Sequence, residues 1–200
     1  MSDLADLLVA CREGNIRTVH RFIAKGQDLN EGDAEGRTGL VWASLRNHLN
    51  IVKYLVRQGA IVDAATNDGC TALMAASAEG HLEVSRFLCD SGAEVNAASN
   101  HGSTALMTAS HRGHLAVVQY LTEQGADLFA RHQDGRTALA FAIQFNHIAV
   151  AAYLKAEGNW QRRRSYAFVL RSIKDDESSG SALLKVLKSE DMKREIGSFL

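Results

Sequence analysis

The feature that most constrains this chain is a step of 33 residues. Thr38, Thr71, Thr104 and Thr137 stand 33 apart, and Leu40, Leu73, Leu106 and Leu139 follow two places on. Ala43, Ala76, Ala109 and Ala142 keep the same step, as do His48, His81, His114 and His147. Gly26, Gly59, Gly92, Gly125 and Gly158 mark it again. Carried toward the N-terminus, the register places Leu7, Ala10, Gly14, Ile16, Val19 and Phe22 where an earlier copy needs them. One supersecondary unit is thus written five times over residues 1–160. A unit this short cannot bury its apolar face alone, so the copies must stack.

Each copy reads as two helices and a turn. The D-x-x-G-x-T segment, as in Asp33 to Thr38, is a turn signal in which Gly36, Gly69, Gly102 and Gly135 supply a backbone angle costly for other residues. The Thr after it stands at a helix N-cap, where its hydroxyl can accept from free amides. About nine residues later come Asn47, Gly80, Gly113 and Asn146, the residue types that end helices in the left-handed conformation. A second helix is predicted over 49–58, 82–91, 115–124 and 148–157, closed by Gly-Ala in the copies that reach another turn. Turns have to come from Gly, Asn and Asp, because the chain has no proline at all.

These residues carry a family resemblance. Asp134-Gly135-Arg136-Thr137-Ala138-Leu139, Gly80-His81-Leu82-Glu83-Val84 and Gly92-Ala93-Glu94-Val95-Asn96 resemble the ankyrin repeat. The resemblance implies an all-α solenoid of helix-turn-helix units joined by β-turns or hairpins, with repeats near 1–32, 33–65, 66–98, 99–131 and 132–160. It implies that the recurring His is structural. Where the family usually reads T-P-L-H, this chain has Thr38-Gly39-Leu40-Val41, Thr71-Ala72-Leu73-Met74, Thr104-Ala105-Leu106-Met107 and Thr137-Ala138-Leu139-Ala140. Preorganisation by Pro and a hydrogen bond from His are lost, and Met fills the space apolarly. The first copy lacks the turn and starts directly at helix residues, as an N-terminal cap would, so the array is expected to start there.

Residues 161–200 break the pattern and are expected to form a helical cap or tail. Helices are predicted over 160–173 and 182–196, with a polar linker between them. The aromatics Phe129, Phe141, Phe145, Tyr153, Trp160, Tyr166 and Phe168 suit docking of the first tail helix on the last repeat. The second helix reads either as part of that cap or as a handle for a partner groove. Charge is uneven here: 13 basic against 17 acidic residues over 1–159 (−4), and 9 against 6 over 160–200 (+3). The basic cluster Arg162, Arg163 and Arg164, with Arg171, is the feature a nucleic-acid partner would use. A net charge of −1 for the chain argues against that partner, and the bland reading is a solvated helix face.

Chemistry-bearing motifs are missing. The sequence has no phosphate-binding glycine loop, no nucleophile elbow and no zinc-protease helix motif. Four of the eight His recur once per repeat, too far apart on stacked helices to share a metal. Cys11, Cys70 and Cys89 are widely spaced and suit a reducing compartment; Cys70 is placed in an exposed turn. The expected localisation is cytoplasmic, with nuclear entry open, and the longest apolar run is far short of a membrane span. Neither an enzyme nor a cofactor or metal is expected. An enzyme would show a deep pocket with converging ionisable groups.

The resemblance implies a protein or peptide partner on the concave face, built from turn tips and first-helix ends. The candidate binding residues are Glu35 and Arg37, Leu45 and Arg46, Asp68, Glu79, His101, His111 and Arg112, Asp134 and Arg136, and Gln144 and Phe145. Arg46, Arg112 and Phe145 are the strongest of these, for their contact area and hydrogen-bonding geometry. The reading is a small adaptor or inhibitor, expected as a monomer. Leu88 to Asn96 also resembles the acceptor pattern of asparaginyl hydroxylases, which implies Asn96 as a modification site, although the same residues are the family consensus.

Overall fold

Thr38, Thr71, Thr104 and Thr137 each begin a helix, and the rest of the architecture follows from what those helices bury. The computed structural model describes residues 3–159. The chain divides into two units, Met1–Lys155 and Ala156–Leu200. The expected tail helices and Arg162 to Arg164 lie outside the described residues.

Nine helices alternate along the described part of the first unit: α1 (Asp3–Glu13), α2 (Ile16–Ala24), α3 (Gly39–Leu45), α4 (Leu49–Arg57), α5 (Ala72–Ala78), α6 (Leu82–Asp90), α7 (Ala105–Arg112), α8 (Leu115–Glu123) and α9 (Ala138–Gln144). Residues 148–159 are helical and are designated α10. Each predicted cap is present. The hydroxyls of Thr38, Thr71, Thr104 and Thr137 accept from the backbone N–H of Val41, Met74, Met107 and Ala140 at 3.3–3.4 Å. A cap of this kind stabilises by about 1 kcal/mol. Asn47 and Asn146 take φ of 61° and 58° at the helix ends, the left-handed turn expected of them.

No helix of seven to eleven residues is stable alone in water. Burial supplies the stability: Leu40, Leu73 and Leu106 are each 1% exposed, and Ala43, Ala76 and Ala109 are fully buried between successive helices. Met74 and Met107 are buried too, filling the apolar space as expected. Gly39, Ala72, Ala105 and Ala138 start α3, α5, α7 and α9, and these small residues allow close approach. The inner row α1–α3–α5–α7–α9 therefore packs more extensively than the outer row α2–α4–α6–α8. Tighter spacing on the inner side makes that side concave.

Three ladders of polar contacts run from copy to copy. The Nε2–H groups of His48, His81, His114 and His147 donate to the carbonyl oxygens of Arg12, Leu45, Ala78 and His111 at 2.8–3.2 Å. A carbonyl only accepts, which fixes the proton on Nε2. The structural His thus ties each copy to the end of the preceding inner helix. At the tips, the N–H groups of Asn67, Asn100 and Gln133 donate to the carbonyls of Glu35, Asp68 and His101, each at 2.9 Å. On the outer loops, Asn30, Asp63 and Asn96 accept from the N–H of Ile61, Glu94 and Asp127 at 2.8–3.1 Å. The expected hairpins are reduced to turns: among the described residues there is no strand, only a bridge between Gly32 and Thr38.

Two sites break local rules. The hydroxyls of Ser44, Ser77 and Ser110 are buried without a hydrogen-bond partner among the described residues. In the fifth copy the same position is Ile143, which is 63% exposed on the outward side of α9 beside Ile148, 72% exposed.

Candidate functional site

The concave side is best read column by column, because stacking places equivalent residues of successive copies side by side. Arg46, Glu79, Arg112 and Phe145 occupy one column at the ends of the inner helices, all exposed. Among the described residues, the side chains of Arg46, Glu79 and Arg112 have no ion-pair or hydrogen-bond partner. Leu45 and His111 lie in the next column and are half-buried. Glu35, Asp68, His101 and Asp134 form the exposed column at the tips. In the last copies contacts also join these columns: Arg136 donates to Gln144, and the His111 ring packs against Phe145.

Two further residues belong to this face that the sequence reading did not place there: Trp42 and Phe141. They occupy the same position in the second and fifth copies, where the third and fourth have Ala75 and Thr108. Each is the core of a wall. In the second copy, the Arg37 guanidinium lies 4.3 Å from the Trp42 ring centre. Asp33 accepts from Arg37 Nε at 2.8 Å and from Trp42 Nε1 at 3.0 Å. Burial works against the Asp33 carboxylate, but the Arg37 and Trp42 hydrogen bonds outweigh it and hold its pKa below the usual value. Glu35 pairs with the same guanidinium at 2.6 Å.

In the fifth copy, Arg136 lies 4.3 Å from the Phe141 ring centre. It is paired with Asp134, donates to Gln144, and Asp134 also meets His132 Nδ1 at 2.9 Å. The hydrogen bonds from Arg136 are the main cause holding the Asp134 carboxyl far below the ordinary carboxylate range. His111 packs edge-on against Phe145 with ring centres 4.1 Å apart. Its pKa is lowered by partial burial and by the positive charges of Arg112, His147 and Arg136. The tail helix expected to dock near Phe141 lies outside the described residues; within them Phe141 has its own contacts. Its ring is buried between Arg136, His111 and His132 on the concave side, because the inner-helix position it occupies faces that way.

Between the walls the face is lined by small residues: Cys70, Ala75, Ala78, Ser103 and Thr108. Cys70 follows the exposed turn residues Asn67 and Asp68 and is itself half-buried, because its side chain packs partly against the core. Its N–H donates to Thr66 Oγ1 at 3.0 Å. A cavity of about 330 Å³ opens against the second wall, bounded by Met107, Thr108, His111, Arg112, Arg136 and Phe141 among others. Asn96, the residue implied for hydroxylation, is exposed on an outer loop away from the groove. Its amide bridges two copies, accepting from Asp127 N–H and donating to the Gly125 carbonyl at 3.2 Å. Among the described residues no group of three His, Cys, Asp or Glu could hold a metal, and no helix could cross a membrane.

Stacked helix pairs, three inter-copy ladders and a groove of variable residues define a repeat-built binding scaffold. The family model described as ankyrin repeats (3 copies) matches residues 7–99 and 95–163, and the chain belongs to that family. Ankyrin repeats are protein-interaction modules, so a protein partner is implied. Among curated proteins, the chain is 46% identical over 54 residues to "Acyl-CoA-binding domain-containing protein 4" of Oryza sativa subsp. japonica, covering 27% of this chain and 16% of that protein. It is 49% identical over 45 residues to "Acyl-CoA-binding domain-containing protein 2" of Arabidopsis thaliana, covering 22% and 13%. It is 43% identical over 51 residues to "Palmitoyltransferase AKR1" of Candida glabrata, covering 24% and 7%. The chain thus spans less than a fifth of the length of each of these relatives.

Proposed function

We propose that this chain is a non-enzymatic binding module, a small adaptor or inhibitor that holds one protein partner along the groove between the Trp42 and Phe141 walls. The observation that carries the reading is the contrast between columns. Positions facing the stack are nearly invariant from copy to copy, whereas those facing the groove change at every copy and leave Arg46, Glu79 and Arg112 without partners among the described residues. Function in such folds resides in the variable face, not in the frame. The similarities to palmitoyltransferase and acyl-CoA-binding proteins cover 7–16% of those proteins, and no lipid or acyl chemistry is carried over from them.

A reducing compartment, cytoplasm or nucleus, fits the three free cysteines, of which Cys11 is fully enclosed with its pKa pushed up to about 12 by burial. The test is capture of partners from source-cell extract by the full chain beside an Arg46→Glu, Arg112→Glu, Phe145→Ala variant of matched circular dichroism. A partner retained by the first and lost by the second supports the groove. An identical partner set for both forms removes the groove from the mechanism.

A further inference from the structure

The two walls are the same device used twice. Arg37 and Trp42 in the second copy correspond to Arg136 and Phe141 in the fifth, and both guanidinium groups sit 4.3 Å from their rings. Three inter-helix steps of about 9 Å separate them, so the trough between is about 27 Å long. That length accommodates about eight residues of extended chain at ~3.3 Å each. Its lining of Cys70, Ala75, Ser103 and Thr108 leaves room for a backbone to lie close. The trough deepens against the second wall, where the cavity of about 330 Å³ is bounded by Met107 and the Phe141 ring.

Charge is distributed just as unevenly. Arg37 is neutralised by Asp33 and Glu35, and Arg136 by Asp134. Arg112 stands on the cavity rim with no hydrogen-bond or ion-pair partner among the described residues. Glu79, the equivalent residue one copy earlier, disfavours a second negative charge on that side. The hollow sets the apolar surfaces of Ala78, Met107 and Phe141 among the polar groups of Ser103, Thr108, His111, His132 and Arg136, and Arg112 is its one guanidinium without a partner among the described residues. An apolar side chain flanked by a carboxylate complements that arrangement.

We propose, building on the groove reading above, that the partner presents an extended acidic-apolar segment: a bulky apolar side chain fills the hollow over Met107 and Thr108, and a neighbouring Asp or Glu pairs with Arg112. Arg112 in this scheme sets partner choice, and the apolar anchor supplies most of the contact area.

Random dodecapeptides displayed on phage and selected on the full chain provide the test, with the enriched peptides then measured as synthetic peptides. The expected result is enrichment of sequences with Asp or Glu within a few residues of Phe, Leu, Met or Trp. Their affinity should fall at least ~10-fold with Arg112→Glu and less with Arg112→Gln, and exchange of the peptide's acid for Lys should restore binding to Arg112→Glu alone. Each variant is checked by circular dichroism and thermal melting, and the charge-swap rescue separates a lost ion pair from a lost fold. Enriched peptides without acids, or with affinities indifferent to Arg112, overturn this assignment while leaving the groove intact if Ala75→Phe still weakens them. Peptides indifferent to both changes, or no enrichment at all, overturn the groove reading together with it.

Discussion

His114 reaches back one copy and donates through Nε2 to the carbonyl oxygen of Ala78 at 3.0 Å. The contact has a steric counterpart at Gly80, where a Cβ would lie 2.5 Å from His114 Nδ1. Gly80 also has a φ of +76°, so it is glycine for two reasons. Gly59 shares the positive φ, at +93°, but a Cβ there meets nothing within 4 Å. Gly59→Ala should therefore cost only the left-handed penalty of about 1–2 kcal/mol. Gly80→Ala should cost visibly more, since it must also displace the His114 ring and its hydrogen bond. Urea unfolding of both variants checks the ranking, and equal losses would contradict the steric account.

Ser77→Ala is expected to raise stability. The Ser77 hydroxyl is fully buried without a partner among the described residues, and Ala is the better helix former. Removing an unsatisfied buried hydroxyl gains about 1 kcal/mol. The urea midpoint should rise with an unchanged slope. A loss of stability would mean that the hydroxyl bonds something in solution.

His111 should titrate below its ordinary value of 6.5, first because partial burial disfavours its charged form and then because Arg112, His147 and Arg136 lie near. In the window between the folded pKa and 6.5 the unfolded chain binds more protons than the folded one. Stability therefore rises with pH through that window and is lost as pH falls through it. NMR titration of the imidazole should show the lowered midpoint, and Arg112→Gln should move it upward. A midpoint at or above 6.5 would refute the electrostatic picture of the cavity.

Asn96→Ala removes two contacts between the third and fourth outer loops, one from Asp127 N–H and one to the Gly125 carbonyl. Both are exposed, so the expected loss is modest, about 1 kcal/mol. Hydrogen exchange should report it locally, with the Asp127 amide losing protection while the buried helical amides of α7 keep theirs.

The frame was legible in the sequence because each repeated residue does the same physical task in each copy. Thr38 and its equivalents cap, Asn47 and Gly80 reverse the chain, and Leu73 and Ala76 fill the stack. The site was legible only in part. Arg46, Arg112 and Phe145 were found as exposed variable positions, but Trp42 and Phe141 were not, because an aromatic inside an apolar helix reads as core. Their signal lay in the column: Trp42, Ala75, Thr108 and Phe141 change size completely while their neighbours at 43, 76, 109 and 142 remain Ala. Such variation beside constancy marks a position that faces out of the stack. The pairing of each ring with an Arg could not be read at all, since it depends on how the tip folds over the helix.

The two walls predict a substitution that should separate binding from folding. Ala75 is the third-copy equivalent of Trp42 and Phe141 and lies half-buried on the trough floor. Since this frame accepts an aromatic at the same place in two other copies, Ala75→Phe should change stability by no more than about 1 kcal/mol. The new ring would stand in the middle of the trough and obstruct any chain lying along it. Affinity for a groove-bound partner should fall at least ~10-fold, the size expected when a well-packed contact is blocked. Val9→Phe is the matched control, because Val9 holds the equivalent place in the first copy, outside the two walls, and is 39% exposed. Isothermal titration with a captured partner or selected peptide should show the loss for Ala75→Phe and none for Val9→Phe. Equal binding by both variants would mean that the partner lies elsewhere on the molecule.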